Sequence, residues 1–223
     1  MEDHADFRDR GGVLWGTVCG AGRVGVRGLH PPEPNEVLTR FHFPRTRLQG
    51  KYEPAHASAF WQALRHSARV MLEFRARFIG KVSPVHFFWG APDLAVTRFS
   101  GRAAPTHPGG IPNLPDEITR EAYSHEVASC GFWAGNADAP DPVYYAYAYP
   151  TPEGYADAAV KPAQAFWNKD LGEFMLPYEA VRTSPNPDET LHEFFQSAYE
   201  PAVDLAGWDR ENLERPRGYR PLD

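Results

Sequence analysis

The chain has 223 residues and a formal net charge of −6, with 42% hydrophobic, 13% aromatic and 23% charged residues. This composition predicts a folded core of about one domain rather than a disordered chain. An acidic protein repels the phosphate backbone and no apolar run is long enough to span a bilayer, so we expect neither nucleic acid nor membrane as a partner.

The cysteine content points to a reducing compartment. The sequence contains Cys19 and Cys130 but no CxxC motif, and two cysteines cannot form a disulfide framework. The acidic N-terminus also lacks the apolar segment of a signal peptide. We therefore expect two free thiols and a cytoplasmic location.

The N-terminal segment, residues 1–51, differs from the rest because it combines many Gly, Arg and Pro residues with weak periodicity. It contains a GxGxxG pattern at residues 20–25, which in a dinucleotide-binding site opens a helix. Here Pro31 and Pro32 follow too soon for a helix, which favours a chance match. We predict a divergent or poorly ordered segment at 1–51, one domain at 52–213 and a mobile tail at 214–223.

Helical periodicity is strong at residues 54–79, where Pro54 suits the first turn and Gly80 ends the pattern. A short helix is predicted at 116–122 with Asp116 as its cap, and a long one from Pro187 with Asn186 as its cap. Pro201 is expected to kink or restart this last helix. The apolar stripe of the first helix consists of Phe60, Leu64, Met71, Phe74 and Phe78.

Short runs rich in β-branched and aromatic residues predict strands at 82–89, 94–99, 125–133, 143–149 and 173–176. Within 143–149, tyrosine and alanine alternate, so the tyrosines are expected on one face of a strand. The predicted fold class is α+β: a mostly antiparallel sheet packed against two long helices.

Three polar residues in these strands form the first candidate site. His86 interrupts an apolar strand, and His125 with Glu126 begins another. Imidazole is the side chain that most readily transfers protons near neutral pH, so these three residues are candidate catalytic groups. His86 and His125 with Glu173 would also complete a facial set of ligands for a divalent metal. The alternative is that both histidines are hydrogen-bonded core residues.

Two further sets of residues are candidates for substrate binding. Arg98 and Arg102 offer planar donors that suit the carboxylate or phosphate of a small acidic substrate, unless they form ordinary surface ion pairs. Aromatic side chains would line a ligand cleft, unless they belong to the core; these are Tyr145, Tyr147, Tyr149, Trp89, Trp133 and Trp167.

Several segments resemble a bacterial family known only as a domain of unknown function, DUF5996. The resemblance covers about residues 52–213 and implies a bacterial origin, but it supplies no established reaction, cofactor or catalytic residue. The segments occur in the same order as in the family: Phe78–Lys81, Pro84–Gly90, Asp93–Arg102, Ala122–Val127, Gly131–Trp133, Tyr147–Pro150, Leu171–Phe174, Leu176–Arg182 and Leu205–Arg210.

Residues 1–51 do not resemble the longer, strand-rich N-terminal half of the family members. If strands are missing, the remaining sheet would expose an edge or an apolar face, which predicts lower stability and a homo-oligomer or another partner. Two functions are compatible with these patterns. One is a small-molecule-processing enzyme with a His/Glu pocket and a divalent metal. The other is a non-catalytic ligand-binding or assembly protein that uses an aromatic surface.

Overall fold

The computed structural model describes residues 53–88, 92–111, 114–136 and 139–215. In these ranges six strands form one antiparallel sheet, in the order β1-β2-β3-β4-β6-β5, and the two longest helices pack together and against it. The α+β prediction is therefore confirmed. The strands are β1 (His86–Phe88), β2 (Asp93–Ala103), β3 (His125–Trp133), β4 (Val143–Tyr149), β5 (Phe166–Asn168) and β6 (Glu173–Pro177).

Five α-helices lie in the described ranges, together with a 3-10 turn at Tyr155–Asp157. The first helix ends about three residues before its predicted end, because Phe78 leaves the helix and forms a β-bridge with Glu214. None of these helices is both long and apolar enough to cross a bilayer. The helices are α1 (Pro54–Ala76), α2 (Asp116–Ala122), α3 (Tyr178–Arg182), α4 (Pro187–Leu205) and α5 (Arg210–Leu213).

Helix α4 continues through Pro201, so the predicted restart of the helix at this residue is wrong. A proline removes one backbone hydrogen bond, but tertiary packing can hold a helix across the gap. Here Ala198, Ala202 and Val203, on both sides of Pro201, are fully buried against the core. Their burial accounts for the continuity of the helix.

The predicted helix caps also differ from those observed. Asp116 does not cap α2 and instead accepts a hydrogen bond from the Gly110 N–H at 2.8 Å. The Asn186 side chain donates to the Glu189 carboxylate at 2.7 Å rather than accepting from the backbone of α4. Both side chains hydrogen-bond to nearby groups other than the N-terminal backbone of their helix. The sequence pattern alone does not distinguish such contacts from helix capping.

The two faces of the sheet have different surroundings. Helices α1 and α4 cover one face, where Val96, Cys130, Tyr144 and Phe174 join the hydrophobic core. We call the other face the tyrosine face. By strand alternation and register it presents His86, Phe88, Asp93, Ala95, Thr97, Ser129, Gly131, Trp133, Tyr145, Tyr147, Tyr149, Phe166, Glu173 and Met175.

A pair of hydroxyl groups lies within the core between α1 and the sheet. Ser67 is fully buried, and its hydroxyl is 2.8 Å from the Ala63 carbonyl oxygen, to which it donates, and 3.0 Å from the Tyr144 hydroxyl. The Tyr144 ring also packs edge-on against Phe195 of α4. Tyr144 therefore links the sheet to both long helices.

Candidate functional site

The two histidines of the predicted catalytic and metal site do not converge. His86 lies opposite Ala95, and Ala95 lies opposite Gly131, six residues along β3 from His125. At about 3.3 Å per residue, this separates the two positions by roughly 20 Å along the sheet. Within the described ranges, no group of three or more His, Cys, Asp or Glu residues is placed to hold a metal ion. The predicted ligand set of His86, His125 and Glu173 is therefore not assembled.

Both histidines are exposed, which also contradicts the alternative that they are buried core residues. The His86 ring packs edge-on against Phe88, with their centroids 4.5 Å apart. The His125 Nδ1 atom is 3.1 Å from the Ser124 hydroxyl oxygen. Within the described part of the chain, the ring and hydrogen-bond contacts of each imidazole are therefore with residues one or two positions away in sequence.

Glu126 and Arg102 form a structural link instead of the predicted catalytic and substrate-binding groups. Arg102 donates to Glu126 Oε2 from Nε at 2.9 Å and from Nη2 at 2.7 Å. The same guanidinium donates to the carbonyl oxygens of Ala206 at 2.7 Å and Gly207 at 3.1 Å. Unpaired carbonyl groups at a helix C-terminus favour such a cation. The pair therefore fastens the end of α4 to the sheet.

Arg98 lies inside the molecule, with only 1% of its surface exposed. It points from β2 toward the helices, so it does not share a surface with the tyrosine face. The alternative that we left open for Arg98, an ordinary surface ion pair, is thus wrong.

The tryptophans of the predicted aromatic cleft do not all lie together with the tyrosines on the tyrosine face. Trp89 lies outside the described residues. Trp167 packs edge-on against Tyr155 and Phe174 beneath the sheet, so it belongs to the core. Tyr145 and Tyr147, in contrast, are stacked side by side on the tyrosine face, with centroids 6.2 Å apart.

A carboxylate holds the Tyr145 hydroxyl. Tyr145 donates to Asp93, whose two carboxylate oxygens lie at 2.9 and 3.0 Å from the hydroxyl oxygen. The phenol ring reaches Asp93 by crossing β3 above Gly131, where an added Cβ would lie only 2.3 Å from the ring and the hydroxyl oxygen. Only glycine leaves room for this crossing. Burial raises the pKa of Tyr145 well above its usual value, and the charge of Asp93 adds to this effect.

A second hydroxyl pair continues the polar cluster. The Tyr147 and Tyr123 hydroxyl oxygens are 3.0 Å apart, and burial raises the pKa of both phenols. His107 stacks on the Tyr123 ring at 4.9 Å and lies 5.0 Å from the Tyr149 ring. Its Nδ1 accepts from the Gly109 N–H at 3.0 Å, so a neutral His107 carries its proton on Nε2.

Glu173 carries a carboxyl group on this face whose pKa is raised to near neutral pH. Its side chain is half-buried and makes no hydrogen bond or ion pair with any other described residue. Burial, with a smaller contribution from the negative charge of Asp93, raises its pKa to about 7. A carboxyl group with this pKa exchanges its proton at neutral pH, as a general acid or base must.

A family model, described as a family of unknown function (DUF5996), matches residues 21–215. The chain belongs to this family. No curated protein and no solved structure matches the chain.

The DUF5996 match confirms the resemblance and corrects its boundary. We expected residues 1–51 not to match, but the family model begins at residue 21, before α1. The GxGxxG pattern at 20–25 and the predicted mobile tail beyond residue 215 lie outside the described residues.

Sequence reasoning thus identified Tyr145, Tyr147 and Glu173 of this DUF5996 chain, but not that they share one face with Asp93. Asp93 had no signal beyond its place at a strand start, and His107 lies in a loop with no periodicity. The assembled cluster can bind hydrogen-bond donors through the Tyr145 oxygen and exchange a proton through Glu173.

Proposed function

We propose that the tyrosine face binds a small molecule and catalyses a proton transfer on it, with Glu173 as the general acid or base. The observation that carries this proposal is the Tyr145 hydroxyl held by Asp93 above Gly131, on the same face as the Glu173 carboxyl, which forms no hydrogen bond with any described residue. Preorganised polar groups beside an ionisable carboxyl are typical of sites for acid–base chemistry.

The charges of the face define the substrate class. Tyr145 already donates its proton to Asp93, so its oxygen is left to accept a hydrogen bond from the substrate. Asp93 and Glu173 are both acidic, and neither Arg98 nor Arg102 faces this surface. The substrate is therefore a neutral or cationic molecule with N–H or O–H groups, rather than the small acidic substrate that we first expected to bind here.

The proposal is tested by comparing the wild-type protein with Glu173→Gln, which retains the shape of the side chain and removes its acid–base function. Both proteins, and a Glu153→Gln control at an exposed position, are incubated with a pool of small metabolites and followed by mass spectrometry. We expect compounds that the wild type and Glu153→Gln convert and Glu173→Gln does not. Equal conversion by all three proteins, or no conversion by any, would overturn the proposal.

A second candidate function is ligand binding without catalysis, because the same face is aromatic at both ends. Phe88 lies opposite Asp93 and is 45% exposed, and Phe166 lies opposite Met175 and is 48% exposed. An exposed aromatic surface of this kind suits a ligand or a second protein chain. Enrichment of one unconverted compound on both the wild type and Glu173→Gln would favour this alternative.

We also propose that the protein is of bacterial origin and that it lies in the cytoplasm. Cys130 is a free and buried thiol, and burial raises its pKa far above the usual value, so it does not react readily. A free thiol of this kind is typical of proteins in a reducing compartment.

A further inference from the structure

A buried guanidinium lies on the opposite side of the sheet from the tyrosine face. Arg98 extends from β2 under the C-terminal half of α1, and its guanidinium carbon lies 3.4 Å from the centroid of the Phe74 ring and 4.2 Å from that of Tyr199. One nitrogen, Nη2, donates to the Phe74 carbonyl oxygen. The Nε atom is buried and has no hydrogen-bond partner among the described residues.

No carboxylate of the described chain forms an ion pair with Arg98. Burial lowers the pKa of Arg98, whereas the Tyr199 hydroxyl and, more weakly, Glu214 oppose this effect. The Glu214 carboxylate already binds the Arg210 guanidinium at 2.8 Å and the Tyr199 hydroxyl at 2.9 Å. Arginine stays charged in proteins, and aromatic stacking offsets only part of the cost of burying an unpaired charge. A bound counter-ion would stabilise a buried arginine that lacks an ion-pair partner.

A cleft of about 1,260 Å³ opens beside this guanidinium, between the end of α1, helix α4 and residues 158–161. Arg98, His192 and Gln196 all line it. The Nε2 atom of His192 and the Oε1 atom of Gln196 are buried and, like Arg98 Nε, have no partner within the described ranges. The three side chains that carry these unsatisfied atoms therefore all line one cleft, although buried polar atoms normally have partners.

The charges along the cleft are unevenly distributed. Its acidic residues are largely paired within the protein: Glu193 binds Lys161, whereas Glu200 and Asp204 both bind Arg210. The Arg77 guanidinium, which also lines the cleft, forms no ion pair within the described part of the chain.

The two guanidinium groups also act on His192. Burial lowers the pKa of His192, the charges of Arg77 and Arg98 lower it further, and Glu73 opposes this effect. The neutral form of His192 is thus favoured, and Arg77 and Arg98 supply the positive charge in this part of the cleft.

We propose that this cleft binds a small organic molecule through a carboxylate group that pairs with Arg98. A monoanionic carboxylate fits better than a phosphate dianion, because five acidic side chains also line the cleft: Glu189, Glu193, Glu200, Asp204 and Glu214. Since Arg98 Nε is sealed from water, the side chains above it must shift slightly when the carboxylate enters. This site is independent of the chemistry proposed for the tyrosine face.

The test is a calorimetric titration of the protein with acetate, butyrate and benzoate at constant ionic strength, with benzamide and inorganic phosphate as comparison probes. We expect at least one carboxylate to bind, benzamide not to bind, and Arg98→Met to weaken the binding by roughly tenfold or more. Binding of phosphate alone, of none of the carboxylates, or equally to wild type and Arg98→Met would overturn the proposal.

A second variant keeps the test decisive if Arg98→Met fails to fold. Arg77 is exposed, so Arg77→Ala should leave the fold intact and weaken carboxylate binding roughly three- to tenfold. Arg65→Ala removes an exposed arginine of the same helix that does not line the cleft, and it should bind like the wild type. Equal binding by the two variants would contradict the site.

Discussion

Replacing Glu173 by glutamine should stabilise the protein at alkaline pH and change its stability little at acidic pH. The pKa of Glu173 in the folded protein is about 7, against an ordinary value of 4.5. Below pH 4.5 the carboxyl group is protonated in both the folded and unfolded states, and its burial then has no charge penalty. Between pH 4.5 and 7 the carboxyl group ionises in the unfolded chain but stays protonated in the folded protein, so the wild type loses stability as the pH rises through this range, and the loss is complete above pH 7.

The size of the effect follows from the same pKa values. A difference of one in pKa corresponds to about 1.4 kcal/mol, so the difference between about 7 and 4.5 gives at most about 3 kcal/mol. Glutamine resembles the protonated acid and does not ionise. The free energy of unfolding of Glu173→Gln should therefore exceed that of the wild type by up to about 3 kcal/mol above pH 8, and the two should converge near pH 4.5.

The assay is urea unfolding of both proteins at pH 4.5, 5.5, 6.5, 7.5 and 8.5, with Glu153→Gln as a control for the loss of one exposed negative charge. The difference between Glu173→Gln and the wild type should grow between pH 4.5 and about 7 and level off at higher pH. A difference that stays constant across this range, or one that Glu153→Gln reproduces, would refute the assignment of a raised pKa to Glu173.

Two substitutions test the remaining contacts by denaturant unfolding. Gly131→Ala should destabilise the protein by about 1–3 kcal/mol, because the new methyl group collides with the Tyr145 ring; a similar loss in a Tyr145→Ala background would disprove this cause. Arg102→Ala should cost about 1 kcal/mol, since the half-exposed side chain binds Glu126 and the carbonyl groups at the end of α4. If Arg102→Lys is as stable as the wild type, the multiple hydrogen bonds of the guanidinium do not account for the contribution of Arg102 to stability.

The sequence predicted best where the period of the side chains was unambiguous. The alternation of tyrosine and alanine located β4 at Val143–Tyr149, and the observed β3 has its predicted bounds of His125–Trp133. The short elements β5, α3 and α5 show no clear period in the sequence, and they form because neighbouring elements pair or pack with them. Their existence depends on tertiary contacts.

The site was harder to predict because strand register decides which residues meet. His86 and His125 both lie at the ends of strands, but the pairing of β1, β2 and β3 separates them by six residues. Strand alternation places the adjacent residues His125 and Glu126 on opposite faces of β3. It could not show that Tyr145 crosses a neighbouring strand to Asp93, because that contact depends on a glycine in β3.

The hydroxyl pair between Ser67 and Tyr144 has a consequence for how α1 is oriented. The apolar stripe of α1 selects which side of the helix faces the core, but a hydrogen bond depends on direction and is lost after a smaller rotation. Turning α1 out of its position would leave the buried Tyr144 hydroxyl without the Ser67 oxygen, at a cost of about 1–3 kcal/mol, whereas Ser67 would keep its bond to Ala63 in the same helix. This polar contact therefore narrows the range of helix rotation that the apolar stripe allows.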